Sequence, residues 1–288
     1  MKKEDTLRQY RTKKFLKRSG YEFALFISIL LILLPFLWAI VISLKTNTEI
    51  NSGALNLPQQ PAWSNYEKAA SIIDFPVLIR NTMIVAVVAI SISIFLTILG
   101  SFAIGRIKFG MGKLQKMFYT YFIIGQIIPV FVMLYPIYLM MNSIHAVDTL
   151  WGVIIPYIGW SAPMNTLILV GAFKTIPTEI EEAAMIDGCK TWQILFKVDV
   201  PIIRSAIVTV AIISFLSTWN EFAVSVIMLT SPQVQTISLA ASKFKGMYST
   251  DYGSMAAAVV MLSIPQVAAF AYFQKFIVSD TAAGASKG

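Results

Sequence analysis

Apolar residues run through this chain in long, nearly unbroken stretches, and polar residues gather between them. Residues 23–44 contain no charge, and Pro35 is their only helix breaker. At about 1.5 Å per residue, a helix of that length crosses the roughly 30 Å hydrocarbon core of a bilayer. Similar stretches recur near residues 79–104, 117–141, 150–173, 205–229 and 254–277. The interior of a bilayer offers backbone groups no water, so each stretch must satisfy its own hydrogen bonds as a helix. The expectation is an all-α, polytopic membrane helical bundle of six transmembrane helices, the first at residues 22–44 and the other five within a core at 79–277. Composition agrees. The chain is 57% hydrophobic and 13% charged, with a mean hydropathy of +0.70, whereas a soluble domain carries about a quarter charged residues.

Charge then orients the bundle. The net charge is +8, but the bases are not spread as a nucleic-acid surface would need. Residues 1–21 form a basic N-terminus that holds Lys2, Lys3, Arg8, Arg11, Lys13, Lys14, Lys17 and Arg18. Such a cluster ahead of a first span places the N-terminus in the cytoplasm. The loop after the second span holds Arg106, Lys108, Lys113 and Lys116 without an acid, and the loop after the fourth holds Lys174, Lys190, Lys197 and Arg204. The opposite side holds Lys45, Lys68, Lys243 and Lys245, with Arg80 near a boundary. Both termini are therefore expected inside the cell membrane, and residues 278–288 form a cytoplasmic tail. A cleaved leader is not expected, because the first apolar run is too long and no small-residue cleavage site follows it.

The extracytoplasmic segment 45–78 carries turn residues Asn51, Ser52, Gly53, Pro58 and Pro61. PAWSNYEKA then predicts a short helix capped by Ser64 or Asn65. PQVQTISLAASKF, within 230–253, predicts a short amphipathic piece. Each is either a packed surface loop or a meeting point for a soluble partner.

Several chemistries drop out. Cys189 is the only cysteine, so no internal disulfide forms, and His145 is the only histidine, so a metal site has no ligand set. No GxxxxGK[ST] phosphate loop is present, and no cofactor is expected in this chain. A membrane-embedded enzyme would need clustered His, Asp or Ser chemistry. A secondary transporter driven by an ion gradient, the main alternative, would show internal repeats and paired intramembrane charges.

Inside the spans, Glu221 is the one acid placed deep in an apolar stretch, within Trp219-Asn220-Glu221-Phe222. A charged group at the bilayer centre costs about 3 kcal/mol and calls for a reason. Two readings stand for Glu221: a contact for a polar solute, or a hydrogen bond to a neighbouring helix that holds the bundle together. Tyr135, Tyr138, Asn142 and Asn165 are further candidates for lining a solute path, each weighed against simple packing. Pro35, Pro129, Pro136, Pro156, Pro163 and Pro265 would bend the spans and free backbone carbonyls.

The polar loop 174–204 has its own pattern. Residues 177–201 read PTEIEEAAMIDGCKTWQILFKVDVP. Thr178 and Glu181 have capping-box spacing, and Glu179, Glu181 and Glu182 sit where they complement a helix dipole. Ile180, Ala183, Ala184 and Ile186 give an apolar, small face. Gly188 permits a helix end or a sharp bend, and 191–200 restarts a helix before Pro201. The result is a short helix–turn–helix outside the bilayer, either a packed connector or a surface that enters a groove of another protein.

This segment resembles the EAA loop of binding-protein-dependent ABC importer permeases. Glu182, Ala183, Ala184, Gly188, Val198 and Pro201 fall on that motif, with Asp187 and Phe196 in the same cassette. Cys189 stands where alanine is common, and Val198 and Val200 replace Ile and Leu. NYEKA, RNTMIVAV, DTLWGVIIPY, WNEF and TAAGASKG extend the resemblance over nearly the whole chain, to the second permease of maltose-type and oligosaccharide importers; the tail departs at Ser279 and Asp280. The resemblance implies a type I ABC importer permease fold and a non-enzymatic transport subunit for a sugar or oligosaccharide. Its implied partners are a second homologous permease, two copies of a cytoplasmic ATPase that bind ATP and magnesium, and an extracytoplasmic solute-binding protein. It further implies that Glu182 pairs with a base on the ATPase, that Gly188 allows the bend, and that the tail enters the interface between the ATPases.

Overall fold

The structure is a computed structural model. It describes the backbone of residues 2–53, 55–107, 112–246 and 249–285, and the side chains of 18–53, 55–107, 113–246 and 249–272. Among these the chain is helical, with one isolated bridge between Lys245 and Thr250. The elements are α1 (Lys2–Ser43), α2 (Asn47–Ser52), α3 (Ser64–Ile72), α4 (Phe75–Arg106), α5 (Gly112–Gly125), α6 (Val130–Ser143) and α7 (Trp151–Lys174). Then follow α8 (Thr178–Ile186), α9 (Thr191–Gln193), a π turn (Ile194–Asp199), α10 (Val200–Ile202), α11 (Arg204–Asn220), α12 (Ala223–Met228), a 3₁₀ turn (Ile237–Phe244) and α13 (Tyr252–Ala285).

Four helical stretches are long and apolar enough to cross a membrane: Arg18–Ser43, Phe75–Arg106, Trp151–Lys174 and Tyr252–Tyr272. Two further candidates are bent pairs. Lys113–Gly125 and Val130–Ser143 meet at 98°, and Arg204–Asn220 meets Thr191–Ile202, the loop segment that precedes it outside the bilayer, at 76°. The expectation of a continuous helix over 117–141 is therefore corrected. Pro129, with extended backbone, sits at the start of α6 and has no amide hydrogen to carry the ladder across. The expected span 205–229 is also broken, because Glu221 leaves the helical region at a ψ of 117° between α11 and α12. Pro35, Pro136, Pro156, Pro163 and Pro265, in contrast, lie inside helices that continue through them.

The chain divides into two compact units. The first comprises Met1–Ile72 with Phe244–Met261. In α1, the apolar side chains Phe23, Leu31 and Ile32 are exposed. Lys45, read from sequence as an outer-loop base, is only 1% exposed. Its Nζ donates to the carbonyls of Gly53 (2.7 Å) and Asn56 (2.9 Å), which closes the turn-rich stretch around the ammonium. Thr46 and Glu49 form the capping box that starts α2. The Asn65 amide, expected as a cap for α3, instead donates to the carbonyls of Ser43 (2.9 Å) and Lys45 (2.8 Å). Asp251 gathers distant parts of this unit, accepting from Lys68 (2.5 Å), Asn47 (3.0 Å) and the Ser254 amide (3.1 Å).

The second unit, Ile73–Lys243 with Leu262–Gly288, is built on the pairing of α4 with α7. Hydrocarbon chains are as apolar as leucine, so such helices associate through close packing and polar contacts rather than through water exclusion. The sequence of α4 supplies this. Thr82, Ala86, Ala89, Ser93, Thr97 and Ser101 recur at helical spacing and are buried. At its end, a Cβ on Gly105 would lie 3.3 Å from Phe173 Cβ, and the Phe102 ring meets that of Phe173 edge-on at 5.8 Å. Asn165 of α7 joins three helices: its amide donates to Ser93 Oγ (3.2 Å), and its carbonyl accepts from Ser214 Oγ (3.3 Å).

Candidate functional site

Two places in the second unit carry the residues singled out from sequence. The first is the loop 174–204. Its helix α8 starts after Pro177, and no side chain caps it. The expected Thr178–Glu181 capping box does not form, because Glu181 is drawn elsewhere: Arg106 Nε donates to Glu181 Oε1 at 2.5 Å. The two side chains are 8% and 13% exposed. Arg106 also donates through Nη1 to the carbonyls of Ile176 (3.0 Å) and Phe173 (3.4 Å). These carbonyls close the C-terminal end of α7, so the α4 arginine ties off one helix and clamps the next.

Helix α8 ends at Gly188, whose φ of +80° is the left-handed conformation that glycine adopts without strain. The Cys189 amide then donates back to the Ala184 carbonyl (3.0 Å), as in a left-handed helix cap. Lys190 opens α9, its amide donating to Gln193 Oε1 (2.7 Å). The expected regular helix over 191–200 is instead a π turn over Ile194–Asp199 between two short α segments. The wider turn buries Ile194, Leu195 and Asp199 together. Leu195 joins Phe102, Phe173, Ile176 and Ile203 in one apolar cluster, which roots the loop in α4, α7 and the start of α11.

Of the predicted loop residues, Ala184 is buried, while Glu182, Ala183, Asp187, Gly188, Phe196 and Pro201 are exposed. Exposed around them are Met185, Trp192 and Ile186, the last at 87%. The loop thus shows an acid, a small residue and an apolar rim on one short, braced element. Exposed apolar surface next to polar residues is characteristic of a protein contact site.

Asp199 was not anticipated. It is 0% exposed, and neither of its oxygens meets a hydrogen-bond donor. Burial pushes its carboxyl up to about 7, the neighbouring Glu181 adds to the rise, and Arg106 opposes it. An acid amid the apolar residues of 194–203 was the available signal.

The second place is a cavity of about 400 Å³. Asn165 and Glu221 both line it, together with Gln126, Trp160, Ser161 and Thr218. Glu221 does two jobs. It accepts from the amides of Val224 (2.8 Å) and Ser225 (3.2 Å), which caps α12 at the break in the span. It also accepts from Tyr157 Oη (2.5 Å) on α7. The hydrogen bond to a neighbouring helix, one of its two readings, is present, and its position on the cavity wall leaves room for a solute. Trp219 lies elsewhere: it is buried, packs on Phe215 at 5.4 Å, and faces a separate apolar groove. Asn220 donates to the Leu216 carbonyl (2.8 Å). Tyr135, Tyr138 and Asn142 on α6 do not line this cavity. Gln126 and Trp160 are not singled out by the sequence pattern: only the bend between α5 and α6 brings Gln126 in, and Trp160 lies in an apolar stretch without a polar signal of its own. Among the described residues no His, Cys, Asp and Glu cluster could hold a metal.

Residues 97–279 match the family described as binding-protein-dependent transport system inner membrane component. The chain is 30% identical over 277 residues to a putative ABC transporter permease protein of Caldicellulosiruptor sp., covering 95% of this chain and 99% of that one. It is 30% identical to a sulfoquinovosyl glycerol transport system permease protein of Agrobacterium fabrum, covering 91% of this chain and 92% of that one. It is 28% identical to a trehalose/maltose transport system permease protein of Thermococcus litoralis, covering 89% and 92%. In fold it matches a chain of a bacterial ABC transporter that imports the acidic polysaccharide alginate, with a TM-score of 0.71 at 21% identity over 87% of this chain and 92% of that chain. A helical chain with several membrane-crossing segments, a braced polar loop between two of them and this range of matches belongs to the binding-protein-dependent transport system inner membrane components, the multi-pass permeases of ABC importers.

Proposed function

We propose that this permease imports a sugar or oligosaccharide and takes its driving force through the loop 174–204. The observation that carries the reading is the form of that loop. Helix α8 offers Glu182 and Ala183 to the outside, ends on the left-handed Gly188, and is held from behind by Arg106. A short exposed helix on a rigid root can pass a push from a partner into α4, α7 and α11. The partner is a cytoplasmic ATPase with a basic residue for Glu182. Two copies of it, binding ATP and magnesium, would act on this chain and on a second homologous permease. An extracytoplasmic solute-binding protein would deliver the cargo, with both termini of this chain in the cytoplasm.

The cargo class draws on the relatives named for sugars and on the cavity chemistry. Hydroxyl and amide groups of Ser161, Thr218, Asn165 and Gln126 beside the Trp160 indole suit a solute rich in hydroxyl groups.

Reconstitution in vesicles tests the reading. Glu182→Gln should lower substrate-stimulated ATP hydrolysis and uptake about tenfold, as expected for loss of a charge-assisted contact of about 1.5 kcal/mol, while leaving membrane insertion unchanged. Uptake that persists after ATP depletion with ion gradients intact would overturn it.

A further inference from the structure

Arg106, Glu181 and Asp199 form a buried group behind α8, and no partner can reach Asp199, which is 0% exposed. Its charges do not balance. Arg106 spends Nε on Glu181 and Nη1 on two backbone carbonyls, and its Nη2 finds no acceptor among the described residues. Among the described residues, the other elements near Asp199 bring no second cation inward. α9 and α10 carry no charged residue. Lys197, on the π turn itself, and Arg204, which opens α11, are both exposed. Lys174, at the end of α7, lies over the Tyr119 ring at 5.4 Å. Asp199 therefore has Glu181 for its polar neighbour, with one guanidinium shared between two acids.

A carboxyl buried without a donor does not stay ionised. Ionised, neither Asp199 oxygen has a donor. With one proton added to Asp199, the summed charge of Arg106, Glu181 and Asp199 falls to zero. We propose that Asp199 carries a proton in the packed loop, and that this proton holds the π turn in place behind α8, so that the packing of loop 174–204 responds to pH on its own side of the membrane.

The direction follows from linkage. The packed loop keeps the Asp199 proton up to about 7, whereas an unpacked loop releases it near the ordinary value of 3.8. Packing is then firmest in acid and loosens as the pH rises toward neutrality, beyond which it changes no further. Neither the cargo nor the ATPase takes part in this proton binding.

The test is hydrogen exchange of the full-length chain in detergent, followed by mass spectrometry on peptides covering 178–203, for the wild type and Asp199→Asn. Asparagine keeps the shape and mimics the protonated acid. Wild-type protection relative to that of D199N should fall about tenfold between about pH 6 and about pH 8. A ratio that stays constant overturns the proposal. Should D199N fail to fold, infrared spectra of the unmodified chain decide. A protonated carboxyl band that fades as pH rises through neutrality supports the Asp199 proton, and a spectrum without that band at about pH 6 refutes it. Neither measurement involves transport, so its failure is distinct from failure of the proposed function.

Discussion

At the scale of single residues, backbone chemistry decides what the loop tolerates. Gly188 has a φ of +80°, and a Cβ placed on it would meet nothing within 4 Å. The obstacle to substitution is therefore conformational rather than steric. Asparagine visits this region more readily than alanine, and β-branched residues hardly at all. Gly188→Asn should cost a few tenths of a kcal/mol, Gly188→Ala about 1 kcal/mol, and Gly188→Val more. Coupled ATP hydrolysis should fall in that order, and equal effects from all three would show that the bend is unimportant. The glycine was legible in the sequence because a helix must end somewhere before Pro201, and glycine ends helices. Glu221 was half legible. An acid in an apolar stretch announces itself, but its hydrogen bond to Tyr157 and its capping of α12 depend on a helix break that no local pattern marks.

At the scale of elements, one ion pair decides where α8 sits. Arg106 joins the end of α4 to the end of α7 and to α8. Removing one partner of a buried pair leaves the other charge uncompensated, at about 3–5 kcal/mol, whereas replacing both with apolar residues is often nearly neutral. Arg106→Met should therefore lower the thermal unfolding temperature sharply, and the double replacement Arg106→Met with Glu181→Leu should recover part of the loss, the remainder reflecting the α7 carbonyls and Asp199 that Arg106 also serves. A double variant no better than the single one would show that the pair does not organise this joint. In the sequence Arg106 read as a topological marker and Glu181 as half of a capping box. Both readings were local, and the actual contact spans 75 positions. The π turn was hidden for a similar reason: Thr191–Val200 has an ordinary helical pattern, and the wider turn is what buries Asp199 beside Leu195.

At the scale of the whole molecule, contacts distant in sequence set the response to acid. Burial tends to raise the Asp251 carboxyl, but hydrogen bonds from Lys68, Ser254 and Asn47 together lower it to about 2. Its ordinary value is 3.8. A carboxyl held low in the folded chain stabilises above its unfolded value, and that stability is lost as pH falls through the folded one. Between about pH 4 and about pH 2 the wild type should lose thermal stability more steeply than Asp251→Asn, and parallel curves would show that the contact is not made. What the sequence by itself determined is the membrane class, the helical bundle, the orienting charge pattern and the loop that resembles a coupling motif. All of these are periodic or compositional, because a bilayer imposes its constraint on every residue of a span. Only the tertiary structure decided where the helices break, which polar side chains share the cavity and which acid lies buried behind α8. Those depend on which helix faces meet, and in a medium as apolar as the side chains themselves, hydrophobicity does not choose among faces.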